Sequence, residues 1–290
     1  MSEVLGIDVS HHQGHIDWNK VKNEGKRFAI MKCQYEAQSH RKDETFDYNY
    51  SEAGKYGLSR GVYIYIASAS IADPQHDAES LLKNLNGRQL EYGIWLDLED
   101  RTLEVKGKAF IRDLAYIYAD IFMRAGYFVG IYCNRDWYIR LIHDDLKRDF
   151  DFWIARFPRN DTGVYNKDSS LKPSPSIAVA WQYSSKGRVD GITTVVDLDV
   201  DYDGNIKLTA KGNLKPSYPV PTSTLKRGAR GEDVKWLQKA LKDRGYPVGT
   251  IDGIYGTKTE QCVKQFQTDM FVDGVAGALT IEKLSKCNFV

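Results

Sequence analysis

The sequence predicts an α/β protein: an irregular barrel of eight strands followed by a small helical domain. Three observations lead there. Strand-like apolar runs alternate five times with helical segments in the first half of the chain, which implies parallel strands and right-handed crossovers. Three further strand runs follow with little room for helices between them. Beyond the proline-containing stretch 211–224 (KGNLKPSYPVPTST), only helix faces remain.

Each element has its own reason. Val4 to Val9 reads as the first strand, and Asp17 caps a short helix that Gly25 ends. Phe28 to Met31 is the second strand. Phe46, Tyr50, Ala53 and Tyr56 make a helical stripe closed by Gly57. Gly61 to Ala67 (GVYIYIA) is aromatic and β-branched, as a third strand requires. Asp73-Pro74 places a cap and a first-turn proline at the next helix start. Tyr92 to Leu98 is the fourth strand, Val105 to Ala125 a long helix and Phe128 to Tyr132 the fifth strand. A helix is expected over Asp136 to Ile142. Phe152 to Ala155, Ile177 to Tyr183 and Thr193 to Leu198 complete the set of strands.

Two of these strands end in carboxylates. Gly6-Ile7-Asp8-Val9-Ser10 is one, and Ile94-Trp95-Leu96-Asp97-Leu98-Glu99 is the other. Asp97 and Glu99 stand two apart, so an extended chain points both to one face. Neighbouring, partly desolvated carboxyls push each other's pKa apart, which suits a general acid beside an ionised carboxylate. In barrels of alternating strands and helices, working residues collect at the C-terminal strand ends. Asp8, Asp97, Glu99 and Asp197 all fall there on this reading.

Composition excludes several classes. The net charge of +1 argues against a general nucleic-acid or membrane-surface binder. Residues 1–210 carry 27 Lys and Arg against 31 Asp and Glu, and residues 225–290 carry 11 against 8. The acidic part is where carboxylate chemistry is expected, and the mildly basic tail suits an anionic polymer. Met1-Ser2-Glu3 lacks a basic start, so no signal peptide is expected, and no apolar run reaches the roughly 18 residues that span a bilayer. Cys33, Cys133, Cys262 and Cys287 show no CxxC spacing. The first two are expected as buried thiols, and pairing of the last two is disfavoured without an export signal.

Acids at a barrel mouth suit glycoside hydrolysis, in which one protonates the leaving oxygen and another stabilises the oxocarbenium-like centre. Aromatic residues should line the same mouth. Tyr63, Tyr65, Tyr132, Trp153, Trp181 and Tyr183 all lie on strands near their ends, and Tyr65, Tyr132 and Trp181, each near a C-terminal strand end, are expected to bind substrate. No metal or other cofactor is expected. Asp199 to Gly204 matches half a calcium loop, but its twelfth position is Ala210 rather than Glu. His11, His12 and His15 lack the HExxH pattern and are expected as a hydrogen-bonded loop.

The motifs GIDVSHHQGHIDW at 6–18, WLDLED at 95–100, WIARF at 153–157, AWQYSS at 180–185 and VVDLD at 195–199 resemble those of glycoside hydrolase family 25 lysozymes. The resemblance implies a (β/α)5β3 TIM-like barrel over 1–210. It also implies N-acetylmuramidase activity on the β-1,4 bond from N-acetylmuramic acid to N-acetylglucosamine in peptidoglycan. Glu99 matches the family's general acid, and Asp97 the carboxylate that orients the substrate's 2-acetamido group. Asp8 and Asp197 match the acids of the first and last motifs. Net retention through the acetamido oxygen is implied as well. Asp199 departs from the pattern, standing where Asn is common, and an added carboxylate beside Asp197 would raise its neighbour's pKa.

Within 225–290, Val234, Leu237 and Leu241 share one helix face, and Cys262, Val263, Phe266 and Met270 another. Asp252-Gly253-Ile254-Tyr255-Gly256 before Thr259 repeats as Asp273-Gly274-Val275-Ala276-Gly277 before Thr280. The segment 225–286 resembles the small all-α peptidoglycan-binding domain attached to wall hydrolases, with Cys262 where Ala is usual. Together these predict a lysozyme tethered to the bacterial wall, made in the cytoplasm and released by holin-type lysis or otherwise exported. A chitinase-like glycosidase and a non-catalytic wall-binding protein are the alternatives.

Overall fold

The computed structural model describes residues 3–35, 40–67, 72–204, 220–268 and 272–285. The chain divides into two compact units, Met1–Asn213 and Leu214–Val290. Residues 205–219 hold most of the expected linker and the end of the calcium-loop look-alike. They lie outside the described residues, as do Met270 and Cys287. Among the described residues no helix is long and apolar enough to cross a membrane.

The first unit is a closed barrel of eight strands in sequence order. They are β1 (Val4–Val9), β2 (Phe28–Lys32), β3 (Ser59–Tyr65), β4 (Ile94–Asp97), β5 (Val129–Asn134), β6 (Phe152–Ala155), β7 (Ala180–Gly187) and β8 (Val196–Asp201). Each of the first six pairs in parallel with the next. The last strand departs from the parallel rule: β8 runs antiparallel to both β7 and β1 and closes the barrel. A short irregular return replaces the helical crossover there, and without a crossover of a dozen or more residues only antiparallel pairing is open.

Five helical connections cover the outside. The helices of this unit are α1 (Trp18–Asn23), α2 (Phe46–Lys55), α3 (Pro74–Leu85), α4 (Arg101–Glu104), α5 (Gly107–Arg124), α6 (Arg135–Arg140) and α7 (Asp144–Asp149). Asp17 caps α1 through Lys20 N at 3.2 Å, and Asp73 caps α3 through His76 N at 3.0 Å. The long helix expected over Val105 to Ala125 is α5, which starts at Gly107, whose φ of +82° lies in the left-handed region and separates it from the unexpected short helix α4. Helix α7 had no sequence signal strong enough to mark it.

Strand parity divides the core. Residues such as Ile7, Ile64, Leu96, Ile131 and Val200 are buried and alternate with the inward set, so they face the helices. The lower interior is filled by Phe28 and Tyr92, stacked at 4.4 Å, and by Trp95 edge-on to Trp153 at 5.8 Å. Glycines make room for these rings. A Cβ at Gly6 would meet the Phe28 ring at 2.4 Å, and one at Gly130 would meet Trp95 at 2.4 Å. Large side chains thus plug one end of the barrel and leave the other end open for polar groups.

The second unit packs α8 (Glu232–Asp243), α9 (Thr257–Phe266) and α10 (Ala278–Ser285) around Val234, Leu237, Leu241, Tyr255, Val263 and Ile281. The repeat seen in the sequence is a repeat of hydrogen bonds. Gln238 Nε2 donates to Asp252 Oδ1 (2.8 Å), Ile254 O (3.1 Å) and Thr259 Oγ1 (3.2 Å), and its Oε1 accepts from Gly253 N (2.9 Å). Gln267 does the same with Asp273 (3.0 Å), Val275 O (2.9 Å), Thr280 (3.0 Å) and Gly274 N (2.9 Å). Each buried glutamine satisfies a turn and the start of the following helix at once.

Candidate active site

The open end of the barrel is a cleft of about 340 Å³. Asp8, Asp97, Glu99 and Asp197 all line it, together with Lys32, Tyr63, Tyr65, Tyr132, Trp153, Phe157 and Gln182. Asp97 is the last residue of β4, and Glu99 follows two residues on, held in place as Leu98 N donates to Tyr132 O at 3.0 Å. Asp8 is in β1, directly opposite Asp197 in the register. Asp197 reaches this mouth by a route that differs from the expectation. It sits at the start of β8, not its C-terminal end, and the antiparallel direction of β8 brings that start to the rim where the other strands finish.

Burial and crowding hold Asp8, Glu99 and Asp197 protonated beyond the usual carboxylate range. Burial raises Glu99. Burial, then the charges of Glu99 and Asp161, push Asp197 up to about 6. Asp8 is raised well above the carboxylate range by burial and then by Asp197 and Asp199. Asp199, the departure noted in the sequence, is fully buried and is likewise raised, first by burial and then by Asp197.

A hydrogen-bonded floor supports the acids. Gln182 Nε2 donates to Asp8 Oδ2 at 2.8 Å, and Tyr132 OH donates to Gln182 Oε1 at 2.9 Å. Tyr65 OH donates to Asp100 Oδ2 at 2.9 Å, while Asp100 Oδ1 accepts from Thr102 N at 2.8 Å at the start of α4. The Tyr65 ring is therefore fixed by the helix that follows Glu99. Asp161 accepts from Ser184 OH at 2.6 Å and Ser185 N at 2.9 Å, which pins the loop after β6 beside Asp197.

Tyr65 and Tyr132 line the cleft, but Trp181 does not. Ala180 packs in the interior core and Gln182 faces the cleft, so Trp181 between them points out of the barrel. Its Nε1 donates to Arg156 O at 2.9 Å and its ring packs on Tyr165 and Tyr183. Parity, rather than nearness to a strand end, decides the face. Sequence reasoning passed over Gln182, Lys32, Phe157, Ser185 and His12, all of which line the cleft. Gln182 and Lys32 did carry a signal, a lone polar residue in or at the end of an apolar strand.

The three histidines go to separate partners: His11 to Asp43 at 2.8 Å, His15 to Tyr48 at 3.1 Å, and His12 to the cleft wall. Among the described residues no group of three or more His, Cys, Asp or Glu is arranged to hold a metal ion. Cys33, Cys133 and Cys262 are free and buried, and burial raises each thiol.

Comparison with known proteins agrees with this geometry. The model of the glycosyl hydrolases family 25 matches residues 7–192, and that of a peptidoglycan binding domain matches residues 230–284. The chain is similar to the autolytic lysozyme of Clostridium acetobutylicum, 29% identical over 271 residues that cover 91% of this chain and 73% of that protein. It is also similar to lysozyme M1 of Streptomyces globisporus, 28% identical over 73% of this chain and 72% of that protein. Among solved structures, the catalytic domain of an endolysin from a Listeria monocytogenes bacteriophage superposes with a TM-score of 0.56 at 24% identity, covering 72% of this chain and 98% of that one. With a family match over most of its length, and with four acids in one cleft, the chain belongs to the glycosyl hydrolases family 25 and is a lysozyme.

Proposed function

We propose that Glu99 is the general acid that protonates the glycosidic oxygen between N-acetylmuramic acid and N-acetylglucosamine. The observation that carries this is the placement of Asp97 and Glu99 at the end of one strand, facing Asp8 and Asp197 across a single cleft. Burial raises Glu99, and a general acid must keep its proton near working pH. As the leaving oxygen takes that proton, the C–O bond breaks and positive charge grows at the anomeric carbon. Asp97 orients the substrate's 2-acetamido group so that its carbonyl oxygen closes on that carbon. Glu99, now ionised, then draws a proton from the water that opens the ring, with net retention. Asp8 and Asp197 stabilise the developing charge from the opposite wall, and the rings of Tyr65 and Tyr132 stack against the sugars.

The smaller unit, within 225–290, holds the enzyme on the wall. Tethering raises the local concentration of bonds without adding contacts at the cleft. The protein is made in the cytoplasm and reaches the wall through holin-type lysis or another export route. Glu99→Gln tests the assignment: cleavage of peptidoglycan should stop while sedimentation with walls persists. Wild-type turnover in that variant would end it. Release of reducing ends from chitin as readily as from peptidoglycan would instead point to a chitinase-like specificity.

A further inference from the structure

Asp199 lies one layer below the cleft. On β8 the residues Asp197, Asp199 and Asp201 alternate inward, and the register pairs Asp8 with Asp197 and Gly6 with Asp199. Gly6 offers no side chain, so Asp199 finds Asp8 as its diagonal neighbour across the strands, close enough for the two carboxyls to interact. Asp199 is fully buried; Trp153 Nε1 donates to its Oδ1 at 2.9 Å, and no other protein N–H or O–H among the described residues reaches its Oδ2. Asp8 accepts from Gln182 Nε2. The donors supplied from outside the pair are thus one to each carboxyl. Two carboxylates have no proton to offer each other, so a hydrogen bond between them requires that one be a neutral acid.

We propose that Asp199 is a positioning residue of the cleft: it shares one proton with Asp8, and that shared hydrogen bond fixes Asp8 against Gln182 and leaves one negative charge on the pair instead of two. The surrounding charges fit. Asp197, on the same strand as Asp199, disfavours a second negative charge on the pair, and Asp97 and Glu99 line the same cleft. Lys26, before β2, favours ionisation of Asp199 from below, and Lys32 lines the cleft above. Burial of both carboxyls outweighs these cations. The neighbouring phenols Tyr63 and Tyr132 are held neutral by burial. The proton belongs to the pair, with no need to assign it to one member. When it leaves at high pH, the hydrogen bond is replaced by repulsion directly beneath Asp197.

The proposal rests on the reading of Asp8 as a working carboxylate of the cleft, so its first test reads the proton rather than turnover. Difference infrared spectra of the full chain at pH 7 should show a neutral carboxylic acid band that persists in Glu99→Gln and is lost in Asp199→Asn. Asparagine keeps an acceptor for Trp153 and gives Asp8 a permanent N–H donor. In turnover of peptidoglycan, Asp199→Ala should lower kcat by about tenfold or more, with a smaller change in KM. Asp199→Asn should recover most of that loss and move the high-pH limb of the rate profile upward. An infrared band unchanged in Asp199→Asn, or a rate profile identical to wild type in that variant, would overturn the shared proton. Turnover surviving in Glu99→Gln would instead overturn the functional reading and leave the infrared result standing.

Discussion

The barrel's cleft and the turns of the smaller unit treat their aspartates in opposite ways. In the barrel, Asp8, Asp197 and Asp199 are crowded together with few donors, and their pKa values rise. In the smaller unit, Asp252 and Asp273 sit at the surface of two matching turns. The side chain of Gln238 and the backbone of Ile254 lower Asp252, and the backbone of Val275 and the side chain of Gln267 lower Asp273. One set keeps protons at and beneath the cleft. The other is fully ionised and serves as an acceptor that builds a turn. The residue type is the same, and burial first, then the charges and donors around it, separates chemistry from architecture.

The largest effect that would test this contrast is on turnover. Glu99→Gln should reduce kcat on peptidoglycan by at least ~10³-fold, measured as reducing ends released, while the melting of both units stays near wild type. The reverse is expected in the smaller unit. Gln238→Leu or Gln267→Leu leaves a turn N–H, an Asp and a Thr without their partner, which should cost on the order of 3 kcal/mol of that unit's stability. Chemical denaturation should show the loss in the smaller unit alone, with kcat on soluble muropeptides unchanged. Equal losses in both units would mean that they do not fold independently.

A smaller effect follows from the raised acids themselves. Asp197 moves from 3.8 to about 6 in the folded barrel. Between those values the native state binds more protons than the unfolded chain, so its contribution to stability is present at low pH and is lost as pH rises through about 6. Asp8, Asp199 and Glu99 act in the same direction. Asp197→Asn should therefore stabilise the barrel at pH 8, by on the order of 2 kcal/mol, and give little gain at pH 4. Urea titrations at the two pH values measure the difference. The smallest effect is at Tyr65, where removing the hydroxyl that reaches Asp100 should cost about 1 kcal/mol. Tyr65→Phe should show it as a few-fold rise in KM with kcat nearly kept.

Much of the barrel could be read from the chain because its parallel strands are buried on both faces and so appear as unbroken apolar runs. The same burial made Asp8 and Asp97 stand out, each being an acid that closes such a run. Asp197 was found by pattern, but the stated reason was incomplete, since nothing local to Thr193–Leu198 reveals that the strand runs backwards. Trp181 misled because a run apolar on both faces hides its parity. The lone polar Gln182 beside it is the better marker of the inward face. Lys32 marked the cleft in the same manner. Asp199 was visible as an extra acid, but its approach to Asp8 depends on Gly6 being opposite it, a register that only the closed sheet fixes. In the smaller unit the repeated Asp-Gly turns were legible, whereas Gln238 and Gln267, which close them, lie at different distances from their turns and were not.

If the barrel acids act together on one sugar linkage, the new chain ends must be those of a single sugar. Mass spectrometry of purified peptidoglycan, digested with the full chain and then reduced, reads those ends. Fragments ending in reduced muramic acid, absent when Glu99→Gln is used, are the result expected. Fragments ending in reduced glucosamine, or cut stem peptides on intact glycan strands, would contradict it.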